Sequence, residues 1–399
     1  MSAATLQTVD QGSLLHILEQ HAMYKMGRQG GRVANLSYID LTDMKLEGVD
    51  LSDANLTGAC LYGASLRDSN FIRANLFGAD LRNADLRFSR LDRADLRGAC
   101  LRGANLTAAS MIGCDLREGS IAFKDKDRGL RLMKHEKRPG ELDYAILTGA
   151  DLSNARMTGM VAISTDFHDA NLTGAIMSQA KLRKANLSGA NLSGANLSGA
   201  DVSGADLRGS VMVDATVAGC NLREADTTGS LNAPVSVYID DQPLDLLIGE
   251  HEKWVLSAGA DGSRQRLHSV DFRLVPNMSK RILTTLDAEG SIFFGMDLGG
   301  IHMQGANLVN ADLRSCNLAG ADLRGAKLMG ARLTHANLQG AKLGQLELGG
   351  GRIMRSDLSR AVLSHANLID ADLTRARMIE TITDHVRDKG CNYTLTERE

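Results

Sequence analysis

Residues 185–209 read ANLSGANLSGANLSGADVSGADLRG. Each unit of five has an apolar centre, Ala two places before it, Asn or Asp between them, and Ser, Arg or Gly after it. Internal repetition comes first, because it shows one structural unit many times over. Outward from this stretch the apolar centres keep step from Leu142 to Thr227, with Ala162 and Thr227 the weak ones. The same period runs from Leu36 to Ile121 and from Phe293 to Met378. Each block spans eighteen units, and the blocks are one residue out of register with each other.

A period of five fits neither common element. In an α-helix five residues advance the leucine by about 140°, so the leucines would spiral over every side. In a flat strand an odd period throws successive leucines onto opposite faces. Every leucine stays inside only if the chain turns a corner about once per unit and coils around a narrow axis. Leucine and Ala then point inward, while Asp, Asn, Ser, Thr, Arg and Gly face solvent and make the corners. Stacked coils satisfy one another's backbone groups at the parallel-strand spacing of about 4.8 Å.

The A(D/N)LXX unit resembles the pentapeptide-repeat proteins, and the match covers 270 of the 399 residues. The resemblance implies an all-β solenoid: a right-handed quadrilateral parallel β-helix with four units per coil. On function the repeat itself is nearly silent.

Composition agrees with a solenoid. Eight Phe, six Tyr and one Trp against 41 Gly cannot build an ordinary globular core. The 45 basic and 48 acidic residues leave a net charge of −3. That balance speaks against binding nucleic acid through bulk positive charge and against a strongly acidic DNA mimic. Six cysteines without a CxxC pair suit a reducing compartment and no zinc site. The opening MSAATLQTVDQ lacks signal-peptide features, and no apolar run approaches a membrane span of roughly 18 residues. The expected location is the cytoplasm.

All four prolines and Trp254 lie outside the three blocks, as expected where proline cannot donate into a ladder. The expected organisation is a capping helix and entry loop (1–33), block 1 (34–123), a basic insert (124–139), block 2 (140–229), a second insert with a helix (230–290), block 3 (291–380) and a C-terminal tail (381–399). Open ends of a solenoid need covering. Leu14, Ile17, Leu18, His21 and Tyr24 share one helical face, with Ser13 placed as N-cap and Gly27 as terminator. Leu244, Leu247, Ile248, His251 and Trp254 repeat the same spacings after Pro243. Each helix precedes a GxxGxR run, Gly27–Gly30–Arg32 and Gly259–Gly262–Arg264. Two related halves, 1–230 and 231–399, follow.

His21 and His251 invite a metal or catalytic reading, but neither has a ligand partner at suitable spacing, and a hydrogen-bonded core histidine is favoured. The GxxGxR loops could cradle an anion, but a tight entry turn with Arg32 and Arg264 sealing the first coil is favoured. At twenty residues per coil, His335 and His365 should face opposite sides, and Cys60 and Cys100 should lie two coils apart. No catalytic constellation assembles, so neither enzyme activity nor a cofactor or metal is expected.

The insert KDKDRGLRLMKHEKRP stands out, with Lys124, Lys126, Arg128, Arg131, Lys134, Lys137 and Arg138 against three acids. It reads as a solvated loop or a docking element, and a distorted coil would also fit the 21-residue offset from Ile121 to Leu142. The expected function is a non-enzymatic scaffold or adaptor that binds a protein partner through its inserts, with no direct nucleic-acid binding, no membrane insertion and a possible homodimer. Trp254 is a hot spot only if exposed. The resemblance also implies an alternative, because quinolone-resistance members bind DNA gyrase by imitating duplex DNA. Those members present a strongly negative face and dimerise through a C-terminal helix, whereas here Arg lies on many faces and only about 20 residues follow Met378. A self-assembling structural rod is a third reading.

Overall fold

The computed structural model describes residues 6–125 and 129–398, and between 120 and 137 the backbone alone. The residue before each apolar centre forms an isolated parallel bridge with the residue twenty places on, as in the series Asn35, Asn55, Asn75, Asp95 and Asp115. Four five-residue units therefore make one coil. The N–H of each centre donates to the next coil, Leu36 to Asn55 O at 2.7 Å, and so does the corner residue, Tyr38 to Thr57 O at 2.9 Å. Backbone groups are thus paired without long strands.

Side chains explain the repeat. Centres such as Leu36, Leu41 and Leu192, and alanines such as Ala54 and Ala190, have no exposure. The Asn or Asp between them accepts from the N–H two residues on, as Asn191 Oδ1 does from Ser193 at 3.1 Å, which closes the corner. Its amide also reaches the preceding coil, Asn55 Nδ2 donating to Asn35 Oδ1 at 3.1 Å. The corner residue takes a left-handed conformation (Asn83 φ 56°, Gly194 φ 64°), which favours Gly, Asn and Asp there.

The chain divides into two compact units, residues 1–233 and 234–399. In the first, β1 (Gln7–Thr8) leads into α1 (Gln11–Lys25) and pairs in parallel with β2 (Ile39–Asp40) of the first coil. The N-cap of α1 is Asp10, not Ser13. The Asp10 side chain accepts from Ser13 N at 3.0 Å, and Ser13 Oγ donates back to it at 2.6 Å. The ladder then jumps: Cys100 bridges Glu141 and Asp115 bridges Arg156, a spacing of 41 where 20 is the rule. The 21 extra residues leave the coil as an antiparallel hairpin, β3 (Gly119–Asp125) and β4 (Gly129–Arg138). Ile121 lies in β3 and is no coil centre, because Leu142 takes its place. Gly140 occupies an inward alanine position so close to Leu116 that a Cβ would run into the Leu116 carbonyl. The ladder of this unit ends at Val211↔Leu231, and its last coil leaves the centres Val217 and Leu222 exposed.

The second unit opens with a short hairpin, β5 (Tyr238–Ile239) and β6 (Gln242–Pro243), followed by α2 (Leu244–Leu256). Its ladder starts at Arg266↔Asp287, well before residue 291, and the step of 21 there absorbs one extra residue. Phe272 and Phe293 stack inside with centroids 4.4 Å apart. A second jump, Lys327↔Asp357, has a spacing of 30. Ten residues containing the hairpin β7 (Leu346–Glu347) and β8 (Ile353–Met354) account for it. Leu348 and Ile353 keep the five-residue phase yet are exposed and lie outside the coil. The C-terminal residues make a further coil, bridged at Ile382, Arg387, Asn392 and Glu397. Its centres turn polar: Tyr393 Oη donates to Asp388 at 3.0 Å, and Arg398 lies over the Tyr393 ring at 4.0 Å.

Candidate interaction surfaces

The coil interiors are filled by Leu and Ala, and several of the polar residues admitted there bond to backbone. Ser69 Oγ donates to Leu46 O at 2.7 Å and Thr165 Oγ1 to Leu142 O at 2.7 Å. Burial pushes the thiols of Cys114 and Cys316 up, so both stay protonated. Among the described residues no group of three or more His, Cys, Asp or Glu could hold a metal ion. No described helix is long and apolar enough to cross a membrane.

At the helices, His21 and His251 are fully buried. His21 Nδ1 accepts from Ala34 N at 3.1 Å, and His251 Nδ1 accepts from Gln265 N at 3.1 Å. His251 Nε2 donates to Thr284 O at 3.1 Å, which fixes a neutral tautomer. Burial lowers the pKa of both rings. Leu14 packs with the first coils of its unit beside the partly buried Ile17 and Leu18, and Leu244, Leu247 and Ile248 do so in theirs. Tyr24 stands 46% exposed, because a step of three residues from His21 carries it to the margin of the stripe. Trp254 is half-buried, 5.7 Å from His251, with Arg264 over its ring at 6.0 Å. The two loops align one residue differently from the GxxGxR pattern. Arg32 N donates to Gln20 O and Ser263 N to Glu250 O, so Ser263, not Arg264, is the counterpart of Arg32. A Cβ on Gly262 would strike the Glu250 carbonyl, which explains the glycine. Carboxylates pin both helices to the coils. Asp53 binds Lys25 at 2.9 Å and Arg73 at 2.7 Å, and these cations hold its pKa near 2. Glu252 accepts from Ile282 N at 2.8 Å.

The basic insert is the hairpin β3–β4. Lys124, Arg131, Lys134 and Lys137 are in its strands, Arg138 is exposed at its base, and Lys126 and Arg128 lie outside the described residues. Many arginines on the coils are answered by a carboxylate beside them. In each Asp-Leu-Arg triplet the Arg forks back onto the Asp two places earlier, as Arg82 does on Asp80, Arg97 on Asp95 and Arg117 on Asp115. Arg82 and Arg97 also cover Tyr62 and Phe77 of the preceding coil, at 5.5 and 5.4 Å. Arg314 and Asp312 form such a fork in a buried setting.

His335 and His365 do not face opposite sides. The ten residues lost to the second hairpin bring them into consecutive coils, where their rings stack at 5.0 Å, and His365 stacks in turn on His385 at 5.0 Å.

The sequence matches the family described as Pentapeptide repeats in eight copies, over residues 34–71, 69–107, 99–118, 145–189, 190–229, 293–345 and 355–382. No curated protein matches significantly. Among solved structures, HetL is a pentapeptide repeat protein involved in heterocyst differentiation regulation, from the cyanobacterium Nostoc sp. strain PCC 7120. It is 21% identical, covering 96% of this chain and 94% of its own, with a TM-score of 0.19. Trypsin-treated QnrB1, a plasmid-mediated fluoroquinolone resistance protein, is 18% identical over 48% of this chain and 88% of its own, with a TM-score of 0.29. A pentapeptide repeat protein from the Arabidopsis thaliana thylakoid lumen is 24% identical over 35% of this chain and 71% of its own, with a TM-score of 0.12.

Proposed function

The chain belongs to the pentapeptide-repeat family, and from that premise we propose that it is a non-enzymatic, cytoplasmic scaffold or adaptor that docks a protein partner on the elements interrupting its coils. The observation that carries this reading is the pair of ladder jumps, 41 and 30 in place of 20. The bridge ladder resumes in step after each insertion, Cys100 pairing with Glu141 and Lys327 with Asp357, so the hairpins stand outside the repeat. Segments of that kind on a rigid scaffold are the usual carriers of specificity. The first hairpin, with seven basic residues against three acids between 124 and 139, suits an acidic protein surface. On this reading α1 and α2 cap the N-terminal ends of the two coil stacks.

DNA mimicry toward gyrase is favoured less, because a mimic needs uncompensated carboxylates and those of Asp80, Asp85, Asp95, Asp115 and Asp206 are forked by arginine. The test is capture after mild cross-linking in the native host, comparing the intact chain with a variant lacking residues 119–139. A partner held by the intact chain and lost by the variant supports the adaptor. Identical captures overturn docking on the first hairpin.

A further inference from the structure

The two coil stacks end in different ways. The last coil of the second unit turns its centres polar, with Thr383, Asp388, Tyr393 and Arg398 following the bridge residues. The last coil of the first unit keeps the apolar centres Val217 and Leu222, which are 38% and 40% exposed, whereas Leu197 and Val202 one coil earlier are 1% exposed. This coil is built to the same plan as those before it, with left-handed corners at Asp214, Gly219, Glu224 and Gly229 (φ 56°, 66°, 60° and 68°). Its apolar centres are therefore a property of a well-formed end.

The backbone of this end is also left unmatched. In the preceding coil the N–H of a centre donates forward, Leu197 N to Thr216 O at 2.8 Å and Leu207 N to Asp226 O at 2.7 Å. The Ala two places before a centre accepts in return, Ala200 O from Asn221 N at 2.8 Å. In the last coil the N–H groups of Val217, Leu222 and Thr227 and the C=O groups of Ala215, Cys220 and Ala225 hold the same positions with no backbone partner among the described residues. Such a row of free donors and acceptors is a template for another chain.

Three adjoining facets carry these groups around one apolar interior. An extended segment could pair with a single facet, whereas another coil end matches all three at once. The coil starts already carry α1 and α2, whose Leu14 and Leu244 belong to the apolar cores. The end of the second unit is polar. The matching surface is the same end of a second copy. A two-fold axis across the stack sets each facet antiparallel to its counterpart. Acceptors two residues before donors then meet donors two residues after acceptors, which is the bonding that flanks a non-hydrogen-bonded antiparallel pair. We infer that the last coil of the first unit is a homodimer interface, joining two copies of that unit end to end.

Hydrogen exchange on the full chain tests this at about 2 and about 200 μM, which bracket the micromolar affinity expected of an interface smaller than about 800 Å² a side. The amides of Val217, Leu222 and Thr227 should gain at least about tenfold in protection at the higher concentration. Those of Thr383 and Asp388, which hold the same positions at the other end, should not change. Sedimentation equilibrium should show the mass rising toward that of two chains over the same range. The double variant Val217→Asn, Leu222→Asn, with centres as polar as those of the second end, should remain a single chain, and Tyr393→Ala should dimerise like the native protein. A native chain that stays single throughout, a dimer that leaves the three amides unprotected, or a dimer that persists in the folded double variant overturns the inference. Should the double variant fail to fold, the exchange of the native chain decides alone.

Discussion

Asp312 and Asp206 carry the same residue pattern in different surroundings. Arg314 and Asp312 have side chains only 3% and 10% exposed, whereas Arg208 and Asp206 are 61% and 28% exposed. Removing one partner of a buried pair strands the other charge, so Asp312→Ala should cost about 3 kcal/mol. Asp206→Ala at the wet fork should cost under about 1 kcal/mol. Chemical denaturation of the two variants decides, and equal losses would refute the distinction. At this scale the inward Leu and Ala were legible, because a five-residue period leaves them nowhere else to point. The forks were harder to see, since Asp-Leu-Arg reads as two solvated charges until the corner folds the Arg back. The histidine column was misread, because coil arithmetic assumed an unbroken ladder between His335 and His365.

The helices and hairpins differ in how openly the sequence announces them. Both helices showed through their apolar spacing, while the α1 start was missed because Asp10 precedes any apolar residue of the stripe. The first hairpin left a visible signal, a register shift of one and a basic run. The second left almost none: ten is a multiple of five, and Leu348 and Ile353 sit where centres belong, with only Gly349–Gly351 breaking the pattern. Excising residues 346–355 rejoins Gln345 to Ser356 and restores the spacing of twenty. The shortened chain should fold with an unfolding midpoint within a few degrees of the parent, and a collapse of the fold would show that the hairpin is part of the coil. The helices carry a pH response of their own. Burial lowers the His251 pKa, so the seated α2 binds fewer protons than a loosened one, and its stability falls as the pH drops below about 6.5. Trp254, the sole Trp and 5.7 Å from His251, reports this directly. Its emission should shift between pH 7.5 and 5.5 in the native chain and stay constant in His251→Asn, and a shift of equal size in both would remove the role of His251.

As a whole, the molecule is two coil stacks with filled interiors, each begun by a helix bearing a buried histidine and each interrupted once by a hairpin. A filled interior leaves recognition to the outside, and the coil faces are largely charge-compensated by their own forks. On the proposed reading the hairpins carry it. The most direct measurement is the affinity of the partner captured by the intact chain for three proteins: the intact chain, the variant lacking 119–139 and the variant lacking 346–355, each checked for an intact fold by circular dichroism. Loss of the first hairpin should weaken binding at least about a hundredfold, the size expected when a main contact is removed. The variant lacking 346–355 should stay within about threefold of the intact chain, which corresponds to less than about 1 kcal/mol. Unchanged affinity in the chain lacking 119–139 would contradict docking on the first hairpin and move recognition elsewhere on the molecule.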